Sequence, residues 1–191
     1  IILEMRLIAD VGIIGYPNVG KSTLLAAVSA ARPKVASYPF TTLEPVLGVV
    51  EVAGRSFVLT EIPGLVDGAH RGRGLGHDFL RHIVRTRMLI HLIDGALADP
   101  VGGMERVNVE LGLFEPGLAK KPQLVVVNKV DLPRVKARLP EIKAAFRQVG
   151  TSVYFISAAS GEGTAGLMAD TLAMLDKLAA EVPTGLGVPE K

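Results

Sequence analysis

The chain has 191 residues, enough for one domain with a full hydrophobic core, and no apolar run approaches the ~18 residues of a membrane-spanning helix. It holds no cysteine, which excludes disulfides and thiolate metal sites and suits a reducing cytoplasm. Basic and acidic residues nearly cancel, 21 against 19, so the placement of charge says more than its sum. Strand-like and helix-like segments alternate, which predicts an α/β fold: a doubly wound, mostly parallel six-stranded sheet with one antiparallel edge strand and helices on both faces. Leu7–Ile14 reads as the first strand and Ser22–Ala30 as the first helix. A polar, Pro-interrupted loop from Arg32 to Glu44 leads to Val46–Val52 and Ser56–Ile62, whose short join at Ala53-Gly54 predicts an antiparallel hairpin at the sheet edge. Five glycines between Gly64 and Gly76 make that stretch costly to order and predict a mobile loop.

Asp78–Arg87 reads as helix, Met88–Asp94 as strand, Glu105–Leu113 as a helix ended by Pro116-Gly117, and Gln123–Asn128 as strand. Pro133–Val149 predicts a helix interrupted near Pro140 and closed at Gly150. Ser152–Ser157 is the last strand, and Ala165–Leu178 the last helix, with Leu167, Met168, Leu172, Leu175 and Leu178 on its core face. One domain over residues 1–181 is expected, followed by a Gly- and Pro-rich disordered tail over 182–191. No signal peptide is visible and the chain does not begin with Met, as expected of a piece of a longer protein.

Leading from the first strand into the first helix stands Gly15-Tyr16-Pro17-Asn18-Val19-Gly20-Lys21-Ser22, the G-x-x-x-x-G-K-S phosphate-binding pattern, with Thr23 next to it as a further nucleotide-binding candidate. Its glycines let the backbone curl so that successive N–H groups face phosphate oxygens, and the helix N-terminus adds partial positive charge. Lys21 reaches the β- and γ-phosphates, and the Ser22 hydroxyl ligates Mg²⁺.

That loop alone does not separate adenine from guanine nucleotides. Asn128-Lys129-Val130-Asp131, N-K-x-D at the end of an apolar strand, does. Asp131 can accept from guanine N1–H and the 2-amino group, whereas adenine would leave a carboxylate unpaired at a penalty of a few kcal/mol. Asn128 can address the base edge and tie back to the phosphate loop, and the Lys129 stem can cover the ring. Ser157-Ala158-Ala159, after the last strand, offers a backbone N–H to guanine O6. Two candidate γ-phosphate sensors lie between. Thr42 would ligate Mg²⁺ and meet the γ-phosphate; its neighbour Thr41, after Phe40, competes for the role, and spacing alone does not choose. Gly64, in Glu61-Ile62-Pro63-Gly64, can turn its N–H to the γ-phosphate because no side chain blocks the approach.

This ordered set resembles the translation-factor-like branch of P-loop GTPases. Tyr38–Leu43, Ile62–Ala69, Gly72–Gly76 and Phe79–His82 resemble the Obg family of ribosome-associated GTPases, and the resemblance extends up to about Leu178. It implies a P-loop NTPase G domain that binds GTP and GDP with Mg²⁺ and hydrolyses GTP slowly, with Lys21, Thr42, Gly64 and Asn18 as its catalytic set. It also implies a ribosomal subunit as partner, through rRNA or ribosomal protein, in large-subunit assembly, for a chain expected to be monomeric and off the membrane. In that family the G domain follows a glycine-rich N-terminal domain, and Leu3–Asp10 resembles the junction into it.

Two departures stand out. Glu61 replaces the Asp that holds Mg²⁺ through a water, and Leu65 stands where Ras-like enzymes carry a water-orienting Gln, an apolar residue the Obg family shares. The resemblance further implies that Asn18 helps hold a K⁺ beside the β–γ bridge; the alternative is local capping by its amide. Arg71, Arg73, Arg81, Arg85 and Arg87, with four histidines in or beside them, form either a nucleic-acid surface or a solvated helix face. The rival functional class is a guanine-nucleotide sensor in which hydrolysis is incidental; a P-loop kinase is disfavoured by N-K-x-D and by the lack of a lid segment.

Overall fold

Met88–Asp94 and Gln123–Asn128 are too continuous in apolar residues for a half-exposed sheet, which demands strands covered on both faces. In the computed structural model, which describes residues 9–36, 45–61, 86–114 and 116–181, they are two of the central strands. In chain order the elements are β1 (Val11–Ile14), α1 (Lys21–Val28), β2 (Lys34–Val35), β3 (Val46–Val52), β4 (Arg55–Glu61), β5 (Met88–Asp94), α2 (Pro100–Phe114), α3 (Pro116–Ala119), β6 (Gln123–Asn128), α4 (Pro133–Gln148), β7 (Val153–Phe155) and α5 (Thr164–Ala180). The sheet order is β2-β3-β4-β1-β5-β6-β7, with β3 antiparallel to both neighbours and every other pairing parallel.

Alternation along the strands divides the apolar residues between two cores. Met88, Ile90 and Leu92 of β5, with Leu124 and Val126 of β6, pack with Leu24 and Leu25 of α1 and Leu167, Met168, Leu172 and Leu175 of α5. Ile93, Val125 and Val127 face the other way, onto Met104 of α2 and Val135, Ile142 and Phe146 of α4. The five residues expected on the inner face of the last helix are therefore in or against one core. Among the described residues no helix is long and apolar enough to cross a membrane.

Several expectations change. Among the described residues the six-stranded count becomes seven, because Lys34–Val35 pairs outside β3; at two residues it carries no readable periodicity, and it moves the antiparallel strand one place in from the edge. The helix expected to break near Pro140 runs through it: one backbone N–H is lost, but Ile142 and Phe146 beyond it are buried and hold the last turns down. Helix α2 begins at Pro100 rather than Glu105. Asp99 Oδ1 caps the Gly102 N–H at 2.9 Å and Pro100 takes the first helical position, which outweighs two glycines in the first turn. Pro116-Gly117 opens the short α3 instead of only ending α2. Ser152–Ser157 shrinks to the three residues of β7, since beyond Ile156 the chain turns back on itself. The Ala53-Gly54 join takes φ of +50° and +77°, the signature of a type I′ turn. The glycine-rich loop, residues 78–85 of the helix expected over Asp78–Arg87, and the tail lie outside the described residues, and Thr86 and Arg87 are not helical.

One polar residue interrupts the central strands. His91 of β5 is fully buried; its Nδ1 lies 3.3 Å from Gln123 Oε1 and its Nε2 has no partner among the described residues. Burial lowers its pKa from 6.5 to about 4. The unfolded chain then binds more protons between those two values, so stability is complete above pH 6.5 and falls as the pH drops toward 4. The loss is expected to reach about 3 kcal/mol, from the size of the shift. Urea unfolding at pH 5 and pH 7 checks this: His91→Leu should flatten the pH dependence, and an unchanged dependence would place it elsewhere.

Candidate functional site

Strand β1 lies mid-sheet with β4 on one side and β5 on the other, so connections leave it in both directions and a crevice opens past its C-terminal end. The chain enters that crevice on Gly15, at φ +145°, where a Cβ would collide with the carbonyl oxygen of Leu92. It leaves on Gly20, at φ +101°, where a Cβ would stand 2.5 Å from Asn128 Nδ2. Only glycine fits either position. Between them the loop wraps Lys21, whose Nζ donates to Gly15 O and Tyr16 O at 3.0 Å each. At the start of α1, Ser22 Oγ donates to Glu61 Oε2 at 2.5 Å. The extra methylene of Glu61 thus still brings a carboxylate onto the Ser22 hydroxyl. Two oxygen donors so close suit a hard divalent cation such as Mg²⁺.

The second loop follows β6. Asn128 is 2% exposed and uses both ends of its amide: Nδ2 donates to Val19 O at 2.8 Å, and Oδ1 accepts from the Ala158 N–H at 2.9 Å. Lys129, at φ +70°, donates from Nζ to Asn18 O at 2.9 Å and pairs with Asp94 Oδ2 at 2.6 Å. Val130 is buried and donates to Ile156 O. Asp131 is exposed, and its carboxylate has no partner among the described residues.

The third loop, after β7, holds itself rigid. Ser157 donates from its N–H to Glu162 O, accepts from the Gly161 N–H, and receives the Ser160 N–H on Oγ. Its Ala158 N–H is taken by Asn128, and the neighbouring Ala159 N–H has no partner among the described residues.

These loops enclose a cavity of about 270 Å³. Asn18, Gly20 and Thr23 come from the first loop, Asn128, Lys129, Asp131 and Leu132 from the second, and Ala158 and Ala159 from the third. Three motifs spread over about 140 residues of chain thus line one pocket. The Asn18 side chain makes no hydrogen bond among the described residues, so the local-capping alternative gains no support. Phe40, Thr41, Thr42, Ile62, Pro63, Gly64 and Leu65 lie outside the described residues, as do Arg71, Arg73, Arg81 and Arg85. Arg87 and His91, the described members of the cationic stretch, serve the interior: Arg87 donates to Leu175 O on α5, and His91 is buried. Sequence reading missed Asp94, the ion-pair partner of Lys129. Its only signal is an acid at the C-terminal end of a buried strand.

Residues 10–129 match the family described as 50S ribosome-binding GTPase. The chain is 55% identical over 180 residues to GTPase Obg of Dehalococcoides mccartyi (strain CBDB1), covering 94% of this chain and 42% of that protein. It is 50% identical over 194 residues to GTPase Obg of Symbiobacterium thermophilum, covering 100% of this chain and 45% of that protein. The chain therefore spans less than half the length of these curated relatives. Among solved structures, Era in complex with MgGDPNP and nucleotides 1506–1542 of 16S ribosomal RNA superposes with a TM-score of 0.61 at 25% identity, over 94% of this chain and 58% of that one. The G domain of the T. maritima FeoB iron transporter, at 22% identity and TM-score 0.59, covers 88% of this chain and 97% of its own and shares the fold.

Asn128→Ala would leave Val19 O and the Ala158 N–H without their partner. We expect a loss of about 2–4 kcal/mol in stability, from two orphaned backbone groups, measured by urea unfolding. A loss below 1 kcal/mol would mean that water replaces the amide.

Proposed function

Because the chain belongs to the 50S ribosome-binding GTPase family, we propose that it binds GTP and GDP in this cavity and slowly hydrolyses GTP with Mg²⁺, as a ribosome-associated switch in the cytoplasm. The observation that carries the reading is the convergence of all three loops on one pocket. Asp131, unpartnered at its mouth, would accept from guanine N1–H and the 2-amino group. The Ala159 N–H would donate to O6, and the Lys129 stem, pinned at its ammonium end, would cover the ring. Lys21 would exchange loop carbonyls for the β- and γ-phosphates. Ser22 would hold Mg²⁺ with Glu61 behind it, and Thr42 would complete the set. The ion would screen phosphate charge.

Thr42 and Gly64 would be drawn inward by the γ-phosphate and released on its loss, changing affinity for a large ribosomal subunit under assembly. Binding of labelled GDP, turnover of GTP, and affinity for ribosomal particles with GDP against a non-hydrolysable GTP analogue test the three parts in turn. Selective binding without turnover, and equal particle affinity in both states, would favour a nucleotide sensor.

Asp131→Asn is expected to shift preference from GTP to XTP, because the amide donates to the xanthine oxygen and opposes guanine donor to donor. Undiminished selective GTP binding by that variant would remove the base-reading role.

With no Gln at position 65, Asn18 would hold a K⁺ that offsets charge at the β–γ bridge. Hydrolysis is expected to run faster in K⁺ than in Na⁺, and Asn18→Ala to lose that difference while still binding GTP. Equal rates in the two salts would assign water positioning to backbone or partner.

A further inference from the structure

Helix α4 starts at the nucleotide cavity, with Leu132 just before it in the cavity wall, and ends at a second cleft about 20 Å further along its axis. That cleft, of about 490 Å³, lies between the last turns of α4 and β7, the outermost strand of its side of the sheet. Lys143, Arg147, Thr151, Ser152 and Phe155 line it. Lys143 Nζ stands 5.1 Å from the centre of the half-buried Phe155 ring.

The cleft continues along a charged stripe. Lys136, Pro140, Lys143 and Arg147 follow one another at steps of four, three and four residues, which places them on one face of the helix. All three cations are exposed and none has an acidic partner among the described residues; the one acid in the helix, Glu141, is taken by Arg138 at 3.3 Å. Lys143 and Arg147 are about 6 Å apart along the axis, close to one nucleotide step. A stripe of uncompensated cations beside hydroxyls and an aromatic ring matches a chain of phosphates carrying bases. An added peptide strand fits less well, since β7 offers only three residues of edge.

We propose that this face binds single-stranded RNA, with phosphates on Lys136, Lys143 and Arg147, the Thr151 and Ser152 hydroxyls beside them, and an unstacked base against Phe155. The surface is separate from the nucleotide cavity and goes beyond the switch reading, because it binds RNA whichever guanine nucleotide is held.

Fluorescence anisotropy with a labelled twelve-nucleotide oligouridylate, at two salt concentrations, tests it. The combined Lys136→Gln, Lys143→Gln, Arg147→Gln variant is expected to bind at least tenfold more weakly. Its slope of log K against log salt should fall by about two, from three lost phosphate contacts on a single strand. Phe155→Leu should weaken binding about fivefold or more through lost stacking. Lys120→Gln, an exposed cation off the stripe, should leave binding unchanged, and GDP affinity should be unchanged in all three. Unaltered RNA affinity in the triple variant, or no RNA binding by the parent at low salt, overturns the proposal. Tighter binding to an oligoglutamate of equal length also overturns it and assigns the face to an acidic protein. Loss of GDP binding by the parent would strike the switch reading alone.

Discussion

The Asn128 amide is the constraint on which the rest of the site depends. It is buried at the end of β6 and joins two stretches of backbone that have no regular structure of their own: Val19 in the loop after β1 and Ala158 in the loop after β7. A buried donor and a buried acceptor on one side chain fix the distance between those loops to within a hydrogen bond, because either group left unpaired in that dry position is penalised. Gly20 exists in the form it does for the same reason. Any side chain there would push against the Asn128 nitrogen and separate the loops it joins.

The sheet supplies the frame for that link. β5 and β6 end level at Asp94 and Asn128, and β1 stops opposite His91 at Ile14, so the loop after β1 begins lower and rises past the ends of its neighbours. Lys129 and Asp94 add a tie between the ends of β6 and β5 and extend it to Asn18. With the hydrogen-bonded turn from Ser157 to Glu162, this wall of the cavity is tied together by the chain's own groups, so a ligand seated against it would not bear the entropy of ordering it. At the start of α1, Lys21 and Ser22 already hold partners, two carbonyls and a carboxylate, so neither presents bare charge to the crevice.

Charge is distributed by role. Two cations are neutralised locally: Lys129 by Asp94, and Arg138 by Glu141 with the carbonyls of Leu97 and Ala98. Arg55 and Asp176 likewise pair across the hairpin and α5. Along the outer face of α4 that pairing stops, and the cations face solvent. A helix with its first turn beside the three-loop cavity and its last turns in a basic cleft places two different surfaces on one rigid rod.

The sequence by itself determined the phosphate loop and the N-K-x-D motif, because each needs particular residue types at fixed short spacing, and that information is local. It also determined β5 and β6 to the residue, since strands buried on both faces read as nearly continuous apolar runs, broken in β5 only by His91. It did not determine β2, whose two residues pair only because β3 lies beside them, nor the passage of α4 through Pro140, where burial of Ile142 and Phe146 overrides local propensity. Nor could it assign Asp94 to Lys129 or Ala158 to Asn128. Those partners are 35 and 30 residues apart, and only the packing of parallel strands decides which side chains meet at their ends.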